Sequence, residues 1–460
     1  MRPESSNYLA YKRSNMGASV RMPSHWRELR FRFLFSFGKG LNVTKENMLE
    51  SGVPCLTYGD VHSRLGFEFD PCRDKLKCVS TDYLVQNPSS LLSVGDFVFA
   101  DTSEDIAGSG NFSHLINEAK VFAGYHTVVA RLIENNVPRF LAYFFESSAF
   151  REQVRQSVKG VKVYSITKGV LKDLWVWLPK FREQQLIASY LDKKVEALDR
   201  AVGAKEQQII LLKERKQILI QNAVTRGLNP DSPMRDSGVE WIGEIPAHWI
   251  MRRSKFVFCQ RKELARKDDV QLSATQSYGV IPQEEYEAKV GRKVVRITFN
   301  LEKRKHVEVD DFVISMRSFQ GGLERAWASG CIRSSYVVLR PALEISPDYY
   351  GYLFKSQSYI QALQTTANFI RDGQDLNFDN FSMVDLPIPP ADEQKRIARH
   401  LKAQIERSDG AVALLEQQIT KLKEYKATMI NSAVTGKFKV PGVVEPVQGM
   451  NEPEAREVCQ

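Results

Sequence analysis

The chain has few of the features that mark secreted, membrane-spanning or disulfide-bonded proteins. Its 460 residues include six cysteines, and none of them forms a Cys-x-x-Cys pair. Neither a zinc ribbon nor a disulfide scaffold is therefore predicted. No apolar run reaches the roughly 18 residues of a membrane span, and the first residues lack the apolar core of a signal peptide. We expect a protein of a reducing, cytoplasmic compartment that does not contact a membrane.

The sequence also lacks the short motifs of several enzyme classes. There is no Gly-x-x-x-x-Gly-Lys-Ser/Thr phosphate loop, so the chain is not expected to hydrolyse ATP. The Asn/Asp-Pro-Pro-Tyr/Phe string of adenine methyltransferases is missing, and Pro389-Pro390 precedes a helical pattern instead. Glu214-Arg215-Lys216 and Glu424-Tyr425-Lys426 have a nuclease-like spacing, but they lie in long helical patterns without a partnering Asp. No catalytic residue and no cofactor is predicted.

Two histidines, His25 and His248, each precede a tryptophan near the start of a predicted domain. No His-x-x-x-His pair or neighbouring cysteine accompanies them, so hydrogen bonding or packing is favoured over metal ligation. No metal site is predicted at either position.

The charge balance is basic. Lys and Arg outnumber Asp and Glu by 64 to 55, which gives a net charge of +9 and a pI near 9.1. This balance is compatible with a polyanionic partner but does not establish one. With 43% apolar and 26% charged residues, the chain is typical of folded proteins, and its length suits roughly two to four domains.

Two stretches of helical periodicity, at 181–226 and 390–437, organise the chain. In both, apolar or small residues recur at alternating steps of three and four, interrupted by Lys205, Lys216 and Lys426. This 3.5-residue repeat predicts a coiled-coil seam. Each helix would span roughly 60–65 Å, too long for a packing element of one small domain. The seam supplies the candidate partner-binding residues Leu191, Leu198, Ile209, Leu212, Leu401, Leu415, Ile419 and Leu422.

The second stretch repeats the first 210 positions later. Glu206-Gln207-Gln208 recurs as Glu416-Gln417-Gln418, and Ala223-Val224-Thr225 recurs as Ala433-Val434-Thr435. A seam requires apolar residues but does not require these surface polar ones. Duplication therefore explains the match better than a generic likeness between coiled coils.

The segments before each helix are also copies of one another, although they differ more. Pro23-Ser24-His25-Trp26 recurs as Pro246-Ala247-His248-Trp249, and later matches follow at an offset that falls from 223 to 208. Both segments mix short apolar runs with turn-rich loops, as α+β domains do. In the first, Arg27–Phe37, Asp96–Ala100 and His126–Ala130 are predicted as strands and Pro138–Val158 as a helix.

The predicted fold class is α+β, with two globular domains that alternate with two long helices in a pseudo-twofold internal repeat. The helices are predicted to pack as an antiparallel coiled coil. The predicted segments are a loose tail at 1–22, a first globular domain at 23–180, a helix at 181–226, a linker at 227–240, a second globular domain at 241–389, a helix at 390–437 and a disordered tail at 438–460.

Several strings resemble those of one known family, the specificity subunits of type I restriction-modification systems. The run Gly238 to Trp249 resembles the start of that family's second target-recognition domain. Leu178-Pro179 with Glu183-Gln184-Gln185, and likewise Leu386 to Gln394, resemble the starts of its two coiled-coil regions. Thr102 to Asp105 and Met316 to Gly322 are typical of its recognition domains.

The resemblance covers nearly the whole chain, from about Pro23 to Lys437. It implies a non-catalytic subunit in which each globular domain reads one half of a bipartite, asymmetric sequence in double-stranded DNA. It also implies that the coiled coil sets the separation of the halves and docks two methyltransferase subunits, to which two motor-nuclease (restriction) subunits add. Divergent domains beside near-identical helices suit this arrangement.

Contact with DNA calls for Lys and Arg on phosphates, and for Arg, Asn, Gln or Ser on base edges. Arg317, Ser318 and Gln320 are the best candidates, although the same string can be a structural turn after a strand. Thr57-Tyr58 and Ser277-Tyr278 occupy matching loops, where they can offer hydroxyl groups or simply close a strand. The further candidates are Ser103, Lys120, Lys162, Lys168, Arg292, Lys293 and Arg371.

Two other functions stay open at the level of the sequence. One is a coiled-coil scaffold that binds protein but not DNA, for which binding to DNA would be absent or nearly independent of salt. The other is a chain with a cryptic methyltransferase or nuclease site, which binding of S-adenosylmethionine to the chain alone would favour. The DNA sequence that is read is not predictable, because base readout depends on side-chain direction and on DNA shape.

Overall fold

A computed structural model describes residues 7–16, 20–158, 163–294, 299, 301–366 and 377–446. The chain forms two compact units, one made of residues 1–204 and 418–460 and the other of residues 205–417. Each unit contains one globular domain and a part of both long helices. Among the described residues, no helix is both long enough and apolar enough to cross a membrane.

The first unit is built from short strands and short helices that precede one long helix. Its strands are β1 (Tyr11–Arg13), β2 (Arg21–Pro23), β3 (Arg27–Arg30), β4 (Phe35–Lys39), β5 (Val53–Leu56), β6 (Phe67–Phe69), β7 (Cys78–Val79), β8 (Phe97–Ala100), β9 (Thr102–Ser103), β10 (Phe112–Leu115), β11 (Phe122–Ala123), β12 (Thr127–Leu132), β13 (Tyr164–Ser165) and β14 (Trp175–Leu178). Its helices are α1 (Tyr58–Ser63), α2 (Tyr83–Gln86), α3 (Pro138–Glu146), α4 (Ser148–Ser157), α5 (Lys168–Asp173) and the start of α6 (Phe181–Arg226).

The main sheet of the first unit has the strand order β4-β12-β8-β10-β6. β10 pairs with β6 in parallel, and the other three pairings are antiparallel. All four residues of β8 are buried, and Phe97 and Phe99 pack in a cluster of phenylalanines with Phe31 and Phe145. The strands predicted around Phe97 and Val128 are confirmed.

Two predicted elements of the first domain are interrupted. The strand predicted at Arg27–Phe37 is β3 and β4 separated by a 3-10 turn at Phe31–Phe33. That turn places Phe31, which is fully buried, in the core. The helix predicted at Pro138–Val158 is α3 and α4, because Ser147 between them is extended and its hydroxyl accepts a hydrogen bond from the backbone N–H of Phe150.

The second unit repeats this plan. Its strands are β15 (Met234–Asp236), β16 (Glu244–Pro246), β17 (Ile250–Arg253), β18 (Phe258–Gln260), β19 (Leu272–Thr275), β20 (Gly279–Pro282), β21 (Lys305–Val307), β22 (Phe312–Ile314), β23 (Glu324–Arg325), β24 (Gly330–Ile332), β25 (Val337–Pro341) and β26 (Asp385–Ile388). Its helices are α7 (Gln283–Val290), α8 (Ser318–Gly321), α9 (Pro347–Phe354), α10 (Gln357–Thr365), α11 (Phe378–Met383) and the first part of α12 (Ala391–Val434). The main sheet has the strand order β18-β25-β22-β23.

The long helices α6 and α12 run antiparallel within each unit. In the first unit, Leu191 of α6 shares a buried cluster with Ile430 of α12, and further along α6 Asp199 lies 2.7 Å from Lys426 Nζ. The residue numbers on α12 fall as those on α6 rise, which is the antiparallel order. The predicted fold class, with long helices packed antiparallel and an internal repeat, is confirmed.

The second unit shows the same order and the same ion pair. Val224 of α6 shares a buried cluster with Ile397 of α12, while Lys216 Nζ lies 2.6 Å from Asp409. Two of the three lysines that interrupt the seam in the sequence, Lys216 and Lys426, thus each reach a carboxylate on the facing helix.

Both predicted tails are partly ordered. β1 pairs with β2, and Tyr8, only 4% exposed, donates a hydrogen bond to Glu183. Val440 and Val443 are buried in the core of the first unit. The predictions of a loose tail at 1–22 and a disordered tail at 438–460 are wrong for these residues, since a few apolar contacts with distant parts of the chain outweigh their polar composition. Residues 1–6, 17–19 and 447–460 lie outside the described residues.

Candidate nucleic-acid interface

One carboxylate holds the start of each long helix against the beginning of its globular domain. Glu183 of α6 accepts hydrogen bonds from Tyr8 (2.7 Å), His25 (2.9 Å) and the indole of Trp26 (3.0 Å). The repeated Pro-x-His-Trp string of the first domain therefore folds onto the helix, and His25 makes the hydrogen bond that the sequence predicted.

The second unit has a smaller version of this cluster. Glu393 of α12 accepts hydrogen bonds from His248 (2.8 Å) and from the indole of Trp249 (3.1 Å). The side chain of His248 is 48% exposed, whereas that of His25 is 10% exposed. The two clusters share a motif but differ in their access to water and in their number of donors.

The glutamine after each of these glutamates fixes a second contact. Gln184 donates to the carbonyl of Pro179 and accepts from the backbone N–H of Val137, both at 2.9 Å. Gln394 makes the same two bonds to Pro389 (2.9 Å) and Ser346 (2.8 Å). The Glu-Gln strings in the sequence are therefore structural residues that fix each globular domain to its helix.

In the second globular domain, two loops that the sequence singled out lie side by side. The side-chain amide of Gln276 donates to the carbonyl of Arg317 at 3.3 Å. Gly321 allows this approach, since a Cβ there would stand 2.5 Å from the Gln276 amide nitrogen. Ser277, Tyr278, Arg317 and Gln320 are all exposed on these neighbouring loops. The structure thus places these four predicted contacts on neighbouring loops.

Ser318 is not available on that surface. It is 1% exposed, and its hydroxyl accepts a hydrogen bond from the backbone N–H of Ser315 at 2.9 Å. Gly322, with φ 75°, lets the loop turn where a Cβ would lie 2.0 Å from the carbonyl oxygen of Phe354. The string is therefore a structural turn that also presents Arg317 and Gln320, and the prediction of a DNA contact by Ser318 is wrong.

The matching loops of the first globular domain also lie close together. Gly108 packs against the ring of His62, which is stacked on Tyr58 with centroids 5.3 Å apart. Burial, and after it the charges of Glu104, Asp105 and Asp101, raise the pKa of Tyr58. Tyr58 therefore keeps its hydroxyl proton at neutral pH and can donate a hydrogen bond.

Two candidates of the first domain are buried. The hydroxyl of Thr57, a residue 8% exposed, donates to Asp60 at 2.8 Å and helps to start α1. Ser103 is fully buried and donates to the carbonyl of Asp105 at 2.6 Å. The predictions of DNA contacts by Thr57 and Ser103 are wrong, because these hydroxyls serve local turns.

The basic candidates give a mixed result. Lys120, Arg292 and Lys293 are exposed, and Lys168 is half-buried. Lys162 and Arg371 lie outside the described residues.

The seam residues predicted to bind a partner are turned toward their own chain. Leu191 and Leu401 are fully buried, and Ile209 and Ile419 are each 8% exposed. Leu198, Leu212, Leu415 and Leu422 are half-buried. Leu191 and Leu401 belong to intramolecular cores, so the prediction that they dock another subunit is wrong.

Other apolar residues of the long helices are exposed in the second unit. They are Ile210 (49%), Leu211 (53%), Ile218 (61%) and Leu414 (59%). Beside them, Leu212 lines a groove of about 180 Å³ with Leu219 and Ile405. Sequence reasoning missed the four exposed residues because they lie outside the 3.5-residue stripe.

A cleft of about 290 Å³ opens beside the exposed loops of the second domain. Its lining includes Tyr278 and Trp327, which are 40% and 55% exposed, and Glu324, which is 2% exposed. Lys355 Nζ donates to Glu324 at 2.6 Å and to the carbonyl of Gly321 at 2.9 Å. Burial raises the pKa of Glu324, and the charge of Lys355 opposes that rise. Neither Trp327 nor Glu324 had a signal in the sequence.

Taken together, these features define a class of protein: a duplicated protein whose exposed polar loops are carried on domains fixed to long helices. The model of the family described as Type I restriction modification DNA specificity domain matches residues 32–210 and 266–424. The chain belongs to this family. Its membership confirms the resemblance read from the sequence and the prediction of a specificity subunit rather than an enzyme.

Individual relatives are distant but extend over most of the chain. The type I restriction enzyme MjaVIII specificity subunit of Methanocaldococcus jannaschii is 21% identical over 468 aligned positions, covering 94% of this chain and 97% of the relative. The HsdS subunit from Thermoanaerobacter tengcongensis has a similar fold, with a TM-score of 0.51 and 13% identity over 92% of this chain and 99% of that one. A chain from a solved type I R-M system, studied for its complex assembly and conformational transition, reaches a TM-score of 0.62 at 16% identity, covering 90% of this chain and 99% of that one.

Proposed function

We propose that each globular domain of this specificity subunit reads one half of a bipartite, asymmetric sequence in double-stranded DNA. The observation that carries the proposal is the different chemistry at matching loops. Tyr58 lies near Glu104 and Asp105 in the first domain, whereas in the second the side chain of Gln276, two residues before Tyr278, donates to the carbonyl of Arg317. Arg pairs with guanine and carboxylates accept from the cytosine amino group. Two loops with such different groups are suited to recognising two different short DNA sequences, or words, one in each half of the site.

The helices, in this proposal, set the gap between the two words. α6 has 46 residues and α12 has 44, which corresponds to about 65–70 Å of rigid helix each. The Glu183 and Glu393 clusters fix a globular domain to the start of each helix, so a change of helix length would move a reading surface rather than bend a loop.

The same helices would dock two methyltransferase subunits, to which two restriction subunits add. The duplicated strings Glu206-Gln207-Gln208 and Glu416-Gln417-Gln418 are exposed, so the chain offers one polar surface twice and suits two copies of one partner. The exposed apolar residues Ile210, Leu211 and Leu414 lie on the same helices and supply contact area of the kind that protein interfaces bury.

The proposal is tested by selecting duplexes from a random library with the complex of the chain and its methyltransferase subunit. We expect the retained duplexes to share two short words at a fixed distance, with the binding constant falling steeply as salt rises. One continuous word, or retention without any shared sequence, would contradict the bipartite proposal. A stable complex that retains no DNA would favour a scaffold that binds only protein.

A further inference from the structure

The exposed tryptophan of the second-domain cleft is held in one place. The backbone N–H of Trp327 donates to the carbonyl of Val280 at 2.9 Å, and the guanidinium of Arg325 lies 4.4 Å from the ring centroid. Gly279, with φ 72°, lies beside the indole nitrogen, since a Cβ there would stand 2.7 Å from that atom. More than half of this side chain nonetheless faces solvent. A large aromatic surface that is both fixed and exposed is suited to stacking on a planar ligand.

Glu324, the buried acid in the same cleft, has one unpaired acceptor oxygen among the residues that the structure describes. One carboxylate oxygen of Glu324 accepts from Lys355, while the other has no hydrogen-bond partner among the residues that the structure describes. Leaving a buried polar atom unsatisfied is unfavourable. This oxygen has almost no surface open to solvent, so a ligand that donates a hydrogen bond inside the cleft would satisfy it once the Glu324 carboxylate turns toward the cleft.

We propose that the cleft takes an unstacked nucleobase that carries an exocyclic amino group, with the base stacked on Trp327 and its amino group donating to Glu324. This inference rests on the proposed function, in which the second domain reads DNA. Adenine, cytosine and guanine carry such a group, and thymine does not. An acidic side chain is also the usual acceptor for the amino group of cytosine.

The depth of Glu324 is the reason that the base must leave the helical stack. Glu324 is 2% exposed, whereas Tyr278 and Trp327 at the cleft are 40% and 55% exposed. Base edges in an intact duplex lie at the floor of a groove, where only protruding side chains reach them. A base that has swung out of the stack can instead enter a cleft and present its amino group.

DNA is favoured over a protein side chain because the cleft is continuous with the candidate reading surface. Ser277 and Tyr278 line the cleft. Lys355, which pairs with Glu324, also binds the carbonyl of Gly321 in the turn that presents Arg317. A duplex lying across Arg317 and Gln320 would therefore have bases within reach of the cleft.

The test uses the complex of the chain with its methyltransferase subunit and duplexes that carry the recognised sequence. 2-Aminopurine, whose fluorescence rises when it leaves the stack, is placed in turn at each position of the second domain's half-site. A base methyltransferase extrudes its own target, so only positions other than the methylated one count. We expect a rise at one such position, its loss in Trp327→Ala, and binding about 10- to 100-fold weaker in that variant.

Two further variants separate stacking from a general loss of fold. Trp327→Phe keeps an aromatic face and should retain most of the fluorescence rise. Phe256→Ala removes an aromatic side chain that is 57% exposed in the same domain but does not line the cleft, and it should bind as the unchanged chain does.

Three results would overturn the proposal. They are no rise at any counted position, a rise that Trp327→Ala leaves unchanged, and a Trp327→Ala variant that loses its methyltransferase subunit rather than its DNA. The last result would identify the cleft as a protein contact. If the unchanged complex binds every duplex equally well, the proposed reading function itself fails, which is distinguishable because no half-site then exists to be scanned.

Discussion

The Glu183 cluster should contribute much more to stability than its copy at Glu393. Replacing Glu183 by Ala leaves three donors without an acceptor, and all three lie in places with little water: Tyr8 is 4% exposed, Trp26 is fully buried and the side chain of His25 is 10% exposed. A buried donor without a partner costs about 1–3 kcal/mol. We therefore expect Glu183→Ala to lower the free energy of unfolding of the first unit by about 3–9 kcal/mol.

The matched variant is Glu393→Ala in the second unit. In that variant the indole N–H of Trp249 is buried and loses its acceptor, whereas water can replace the partner of the half-exposed His248. The expected loss is about 1–3 kcal/mol. Native-state hydrogen exchange against urea resolves the two losses, because peptides from each unit report their own opening free energy.

Two results would refute this reasoning. One is a loss in Glu183→Ala no larger than that in Glu393→Ala, and the other is a loss that appears equally in both units. Glu183→Gln is the control. Its side-chain carbonyl can still accept a hydrogen bond, but its NH₂ group is a donor placed among the donors of Tyr8, His25 and Trp26. Its loss should fall between those of the unchanged chain and Glu183→Ala.

Three further predictions concern readout, pH and spacing. Arg317→Ala should cost about 1–3 kcal/mol of binding on one half-site only, measured with duplexes that change one word at a time, and uniform weakening on every duplex would assign Arg317 to a phosphate. His306 is buried between Asp269 and Glu308, each 2.8 Å from a ring nitrogen; burial alone would disfavour the charged ring, but these two hydrogen bonds raise its pKa. Its contribution to the stability of the second unit is therefore fully present below about pH 6.5 and is lost as pH rises through the folded pKa. The midpoint of urea unfolding should fall as pH rises from about 6.5 through that pKa. A midpoint that rises over this pH range, or that falls equally in His306→Gln, would contradict the prediction. One heptad inserted into both α6 and α12 should change the gap between the two words and leave the words unchanged, which selection from a random library measures; an unchanged gap would exclude the helices as the spacer.

Glu308, one of the two carboxylates that contact His306, makes the stability of the second unit depend on pH at low pH as well. Hydrogen bonds from His306, and then from Ser329, lower the pKa of Glu308 to about 2. Its contribution is present above the ordinary glutamate pKa and is lost as pH falls through the folded pKa of about 2. Glu308 is half-exposed, so its contribution to stability should be smaller than that of His306.

The parts of the fold that the sequence predicted are those that repeat. A seam of apolar residues at a 3.5-residue period repeats over many helical turns, so the sequence alone predicts the helices α6 and α12. The repeated Pro-x-His-Trp and Glu-Gln strings marked the two domains, and the structure shows them to be bonded to each other. The break at Ser147 was missed because one extended serine changes the chain direction without changing the apolar pattern around it.

The candidate site was predicted less well, and the reason lies in burial. Thr57, Ser103 and Ser318 have the hydroxyl groups that DNA contacts need, but the same groups also serve short turns, and only the packing decides between the two uses. Trp327 and Glu324 come from β23 and the residues just after it, and they meet Tyr278 only through the pairing of distant strands. No spacing in the sequence reports such a meeting.

The central claim, that one chain carries two different DNA readers, is tested most directly by mapping methylated adenines in cells that express the chain with its methyltransferase subunit. The account predicts new methylation at a single bipartite motif, with two unlike words separated by a fixed gap of unspecified bases. New methylation at one continuous word, or none from a stable complex, would contradict it.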